Sequence, residues 1–200
     1  MRHNFVVFEG VDGSGKSTVI KEIISRLGKG PIALTREPRG YTIPCQQMYD
    51  ILVDKDFKLC PEAELALVLA SRAENLNKTI LPYLKSSHVF CDRFAESTMA
   101  YQGAGRGLVG IESMVYDPKF YVKPDLTIIL DVPLEVSIER MVGRKSEDKF
   151  DNETKDFMLR IREYFLSLES DSHIVIDASQ ELDKVLDRTT EVLLENLEWS

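Results

Sequence analysis

Three kinds of residue in this chain have the types and spacing for phosphate chemistry: a lysine framed by glycines, a few arginines in unusual surroundings, and acids at the ends of apolar runs. The first is the clearest. Gly10-Val11-Asp12-Gly13-Ser14-Gly15-Lys16-Ser17-Thr18 contains the spacing G-x-x-x-x-G-K-[ST]. Its glycines let the backbone curl so that several N–H groups point at one phosphate. Lys16 brings a point charge to the outer phosphates, and the Ser17 hydroxyl suits Mg²⁺.

The arginines and acids follow in chain order. Thr35-Arg36-Glu37-Pro38-Arg39-Gly40 reads as a charged loop: a solvated turn or part of a ligand site. Arg72 falls in an apolar helical stripe, four residues from both Val68 and Leu76. A guanidinium there needs either a buried carboxylate or a ligand. Val89-Phe90-Cys91 ends in Asp92-Arg93, an acid for a Mg²⁺–nucleotide complex and a base for a substrate phosphate, or else a capping salt bridge. Asp131 competes with Asp92 as the metal-site acid. Ser97, Thr98, Tyr101 and Gln102 bring base-reading groups ahead of the glycines at 103, 105 and 107, although a plain helix end with a glycine cap has a similar composition.

These residues need a scaffold, and the hydrophobic pattern supplies one. Short β-rich runs occur at Phe5–Phe8, Ile32–Thr35, Val89–Cys91, Leu126–Leu130 and Ile174–Ile176. Helical spacing fills the gaps: from Lys16, from Pro61 through Leu84, from Leu134 to Val142, over residues 157–168, and from about Gln180. Near-continuous apolar strands separated by helices predict an α/β fold, a five-stranded parallel sheet in three layers with helices on both faces. Ligands of such sheets bind beyond the carboxyl ends of the strands. That rule selects Glu9, Arg36, Asp92, Asp131 and Asp177. The charged stretch around residues 143–151 reads as a closing lid or a solvated loop.

Composition sets the outer bounds. Two hundred residues suit one domain spanning 1–200. A net charge of −8 argues against a broad nucleic-acid or anionic-membrane surface, and no apolar run reaches membrane-spanning length. The opening residues are too short an apolar run for a signal-peptide core. Cys45, Cys60 and Cys91 are odd in number and far apart, which reads as reduced thiols in a cytoplasmic protein. His88 and His173 open apolar runs and read as strand-edge residues.

Taken in order, Phe8 to Thr18, Thr35 to Pro38, Ser71-Arg72-Ala73, Cys91 to Phe94, Ser97 to Gly103, Pro124 to Ile128 and Val175 to Ala178 resemble the thymidylate kinase family over nearly the whole length. The resemblance implies a P-loop kinase fold with a short lid, ATP as donor, dTMP as acceptor, Mg²⁺ as cofactor, and a homodimer. It implies residue roles as well. Residues 10–18 would hold ATP, with Lys16 and Asp12 catalytic and Asp12 near the acceptor sugar and phosphate. Arg36 and Arg93 would take the dTMP phosphate, and Ser17 and Asp92 would organise Mg²⁺. Arg72 would reach thymine O4, Thr98 and Gln102 its polar edge, and Tyr101 would crowd the sugar 2′ position. Glu37, Val68 and Ser97 complete the expected substrate-binding set.

The chain also departs from the family pattern. Arg39 stands where the family usually has glycine, and Val68 where a phenylalanine usually stacks on the base. With Gly13 the P-loop has no basic side chain besides Lys16, so a lid cation must supply transition-state charge: Lys149 first, Arg144 second. Three alternatives remain at this stage: a kinase for another nucleotide or nucleoside, a non-catalytic P-loop nucleotide-binding protein, and a degenerate paralogue kept for its dimer surface.

Overall fold

The computed structural model describes residues 3–28, 30–142 and 154–199. Five strands form one parallel sheet: β1 (Phe5–Glu9), β2 (Ile32–Arg36), β3 (His88–Asp92), β4 (Leu126–Asp131) and β5 (His173–Asp177), in the order β2-β3-β1-β4-β5. β1 lies at the centre, with Val6 opposite Phe90 on one side and Leu126 on the other. Each strand runs at least one residue further than its apolar run. The added last residues are Glu9, Arg36, Asp92, Asp131 and Asp177, so all five polar ends finish on one edge of the sheet.

β1 explains the layering. Its side chains alternate between two apolar clusters, as the period of two requires. Val6 and Phe8 join a cluster with Val19, Ile20 and Ile23 of α1 (Lys16–Leu27), Ile161 and Phe165 of α8 (Lys155–Ser167), and Val185 and Leu186 of α9 (Leu182–Asn196). Phe5 and Val7 face the other cluster, with Leu65 and Leu69 of α3 (Pro61–Asn75), Ala95 of α5 (Ala95–Thr98) and Val115 of α6 (Glu112–Val115). Each of these buried Val, Leu, Ile and Phe side chains contributes roughly 1.5–3 kcal/mol. The rest of the scaffold comprises α2 (Ile43–Val53), α4 (Leu81–Tyr83) and α7 (Leu134–Met141).

Three details correct the sequence reading. α2 is an unexpected helix, started by the Thr42 side chain, which accepts from the Cys45 N–H, and by a proline in its first turn. The long helix from Pro61 changes to π-helical hydrogen bonding over Leu76–Ile80 before α4, and the Leu81 N–H reaches back five residues to the Leu76 carbonyl. The reason is Pro82, which has no N–H for the Lys78 carbonyl and would crowd it. His88 opens β3 as expected, but it is 1% exposed and held inside the fold, where its Nδ1 accepts from the Asn4 N–H at 3.0 Å.

Candidate active site

The P-loop leaves β1 at Glu9 and enters α1 through Gly15, which adopts a left-handed conformation. The Lys16 ammonium is buried and donates to the carbonyls of Gly10 and Val11, both at 2.9 Å, and to Ser14 Oγ at 3.4 Å. Burial and the nearby Arg93 charge bring its pKa down to about 8. Gly13 has φ +77°, and a Cβ there would come within 2.5 Å of the Ser137 carbonyl in α7. Ser137 Oγ also donates to the Asp12 carbonyl at 2.6 Å. A side chain at position 13 would therefore collide with α7, and Lys16 is the cation of this loop.

Glu9 holds the opposite wall in place. Its buried carboxylate accepts from the Phe94 N–H at 2.7 Å, the Ser97 N–H at 3.0 Å and Ser97 Oγ at 2.5 Å. Between them Arg93 sits at φ +70°, a conformation that costs a non-glycine residue on the order of 1–3 kcal/mol. Its N–H donates to the Phe8 carbonyl at 2.9 Å. The strain aims the guanidinium back across the P-loop: Nη1 donates to the Gly10 carbonyl and Ser97 Oγ, and Nη2 to Asp12 Oδ1 at 2.6 Å and to the Tyr101 hydroxyl at 3.1 Å. Tyr101 donates to Asp12 Oδ2 at 2.6 Å. Burial by itself would raise the Asp12 pKa, but Arg93, Lys16 and these hydrogen bonds prevail and hold it at about 2.

Arg72 combines both sequence readings. It is 1% exposed, and its Nε donates to Glu37 Oε2 at 2.7 Å. Nη2 donates to the Phe94 carbonyl and to Thr98 Oγ1. Asn75 joins Glu37 to β2 by donating to Glu37 Oε1 and accepting from Thr35 Oγ1. Nη1 is the one buried side-chain N or O atom among the described residues without a hydrogen-bond partner. The buried salt bridge thus leaves one donor over, beside an open cleft of about 690 Å³ lined by Asp12, Glu37, Pro38, Tyr49, Leu52, Val68, Arg72, Arg93, Phe94, Ser97, Thr98, Tyr101 and Gln102.

Two further hollows lie near this cleft. One of about 400 Å³ gathers Arg36, Glu37, Arg39, Tyr49, Asp92 and Arg93. Arg39 lies over the Tyr49 ring, 5.7 Å from its centroid. The other, of about 670 Å³, runs along Gly13, Ser14, Gly15 and Thr18 to Arg140, Ala178 and Gln180. Arg140 Nη1 donates to the Ala178 carbonyl at 3.1 Å.

The two acids have different partners. Asp131 is bidentate with Arg162, at 2.7 and 2.8 Å, whereas Asp92 accepts from Ser17 Oγ at 2.9 Å beside the P-loop. Asp12, Glu37, Val68, Arg72, Arg93, Ser97, Thr98, Tyr101 and Gln102 line the cleft, Arg36 and Asp92 line the hollow that shares Glu37 and Arg93 with it, and Lys16 and Ser17 lie on the P-loop, Ser17 bonded to Asp92. Lys149 and Arg144, with the rest of the expected lid at 143–151, lie outside the described residues except for its approach at Met141 and Val142. Sequence reasoning missed Tyr49, Leu52, Arg140, Ala178 and Gln180 as site residues. The Thr42 cap with Pro44 behind it was the available signal for the first two; for Ala178 and Gln180 there was only the position of Asp177 at a strand end.

Comparison with known proteins agrees with this geometry. The model of the family described as "Thymidylate kinase" matches residues 8–189. A protein named thymidylate kinase from Neisseria meningitidis serogroup B is 38% identical over 202 residues, covering 96% of this chain and 97% of its own. Its counterpart from Pediococcus pentosaceus is 40% identical over 207 residues, covering 96% and 98%. That from Carboxydothermus hydrogenoformans is 38% identical over 191 residues, covering 92% and 94%.

Proposed function

The chain belongs to the thymidylate kinase family, and from that premise we infer its reaction: transfer of the ATP γ-phosphoryl group to dTMP, giving dTDP and ADP. The observation that carries the reading is the donor left over on Arg72, a buried guanidinium atom beside a cleft that opens onto the P-loop through Asp12 and Arg93.

In this reading the P-loop amides and Lys16 hold the outer phosphates of ATP, and the hollow reaching Arg140 and Gln180 takes its base. The thymine lies in the cleft beside Arg72, with O4 towards Arg72 Nη1 and its polar edge towards Thr98 and Gln102. The acceptor phosphate lies between Arg36 and Arg93. Two anions are brought together there against their repulsion, so the work is positioning and charge neutralisation. At a pKa of about 2, Asp12 remains an anion; it orients Arg93 and Tyr101 and is a poor base.

Mg²⁺ fits Ser17 and Asp92, a hydroxyl and a carboxylate oxygen 2.9 Å apart. No group of three His, Cys, Asp or Glu gathers among the described residues, and Mg²⁺ commonly uses one or two protein oxygens with phosphates and water. The ion would neutralise charge on the ATP phosphates. Lys149, with Arg144 second, remains our proposed source of the remaining transition-state charge. A homodimer and a cytoplasmic location belong to the same proposal. Among the described residues no helix is long and apolar enough to cross a membrane.

A second reading, in which another monophosphate is the better acceptor, rests on Val68 and Leu52 lining the cleft without an aromatic base platform at position 68. The direct test is dTDP formation from dTMP and Mg·ATP, followed by ³¹P NMR. We expect it with the wild-type chain and not with Lys16→Ala. Hydrolysis of ATP without dTDP would refute the assignment.

A further inference from the structure

We propose that Phe157, in the first turn of α8, is a positioning residue for the acceptor sugar: it sets the ring of Tyr101, and through Tyr101 the Asp12–Arg93 pair. The proposal rests on the dTMP reading above. Tyr101 is fixed at two ends. Its hydroxyl donates to Asp12 and accepts from Arg93. Its ring meets the Phe157 ring edge to face, with centroids 6.2 Å apart and planes at 75°. The hydroxyl bonds fix a point, and the tilt of the ring is held between the Phe157 ring and the Arg93 guanidinium, which lies 5.0 Å from the Tyr101 centroid.

The seat of Phe157 is built for a ring. Phe157 is 3% exposed. At Gly105 an added Cβ would come within 2.6 Å of its Cε2, so that stretch of backbone can carry no side chain while the ring stays in place. The Arg106 guanidinium lies over the ring, 4.8 Å from its centroid, and is paired with the buried Glu64 at 3.0 Å. One turn further along α8, Arg160 donates to the carbonyls of Ala104 and Gly105 at 3.0 and 2.9 Å. The Thr154 side chain caps the helix by accepting from the Phe157 N–H itself. The first two turns of α8 are therefore clamped to the segment Met99–Gly105 that carries Tyr101 and Gln102. These contacts meet the P-loop only at Asp12, whose side chain lines the acceptor cleft, so the coupling is expected to act on the acceptor side.

The test compares wild type, Phe157→Leu, Tyr101→Phe and the double variant, with dTMP and its ribose counterpart as acceptors. Arg160→Met, an exposed change, serves as a second way to loosen the clamp. Phe157→Leu is expected to raise KM for dTMP and to lower the preference for deoxyribose, each roughly fivefold, with KM for ATP unchanged. Combined with Tyr101→Phe, the same change has less than its single effect, because both act on one ring. Arg160→Met shifts the preference in the same direction, by roughly twofold, and carries the decision if Phe157→Leu does not fold. The proposal is overturned if KM for dTMP and ATP rise together, if the sugar preference is unchanged, or if the two effects simply multiply. Wild type inactive on dTMP would sink the functional reading itself; wild type and Tyr101→Phe behaving as expected, with Phe157→Leu and Arg160→Met silent, would sink only this inference.

Discussion

Glu9 holds the turn that aims Arg93, and Glu37 holds the helix residue Arg72; at the level of single residues the site is two carboxylates each fixing an arginine. The consequences differ. Removing the Arg72 head leaves Glu37 buried without its charge partner, a change that costs roughly 3–5 kcal/mol. Arg72→Met should therefore lower the melting temperature and raise KM for dTMP together. Arg72→Lys should fail to restore either, because one ammonium cannot serve Glu37, Phe94, Thr98 and the base at once. Lys16 gives a proton signature. Its pKa of about 8 in the free protein is depressed, so above pH 8 its neutral form dominates; a bound phosphate favours the ammonium and raises the pKa again. Nucleotide binding at pH 8.5 should take up a substantial fraction of a proton, read by calorimetry in buffers of different ionisation enthalpy. Uptake should disappear in Lys16→Met. That Arg72 needed a partner or a ligand was legible from its apolar stripe. Which carboxylate it meets was not, because Glu37 is 35 residues away in sequence and no local pattern joins them.

At the level of elements, legibility followed burial. The strands were readable because their interiors are buried and apolar; their last residues were not, because Glu9, Arg36, Asp92, Asp131 and Asp177 are polar and serve the site edge. α2 escaped because Ile43 is 71% exposed and Ile51 41%, leaving Cys45 and Leu52 as its buried residues and no stripe to detect. Yet α2 brings Tyr49 and Leu52 to the cleft, opposite Val68 of α3. Val68→Phe should therefore add an aromatic face to an existing apolar wall and lower KM for dTMP about fivefold, the value of roughly 1 kcal/mol of stacking. Steady-state kinetics decide this, and an increase in KM would mean that Leu52 and Tyr49 already fill the space. The two π-helical stretches, Leu76–Ile80 and Met99–Gly105, had no signal in hydrophobic periodicity, which continues through them. Pro82 marked the first, and nothing in the spacing marked the second.

Over the whole molecule a net charge of −8 coexists with a hollow where Arg36, Arg39 and Arg93 converge beside Glu37 and Asp92, the place we propose for the acceptor phosphate. The family was legible from ordered motifs, and the parallel sheet from its alternation. The pH response follows from the same charges. The folded pKa of Asp12, about 2, lies below its ordinary 3.8. Its stabilising contribution is therefore complete above pH 3.8 and is lost as pH falls towards 2. Asp12 cannot produce a limb in the working range. kcat/KM for dTMP should instead fall on the acid side near pH 6, where a phosphate monoester loses its second charge. A limb near pH 6 that persists in Asp12→Asn, though at lower activity, would support this assignment.

The central claim is tested most directly by competition among acceptors. dTMP, dUMP, dCMP and dGMP are mixed at equal concentration with limiting Mg·ATP, and the diphosphates are separated and counted. The account predicts dTDP as the dominant product, with each rival at least roughly tenfold lower, the factor that 1.4 kcal/mol of differential recognition supplies. A larger yield of dCDP or dGDP than of dTDP would contradict it.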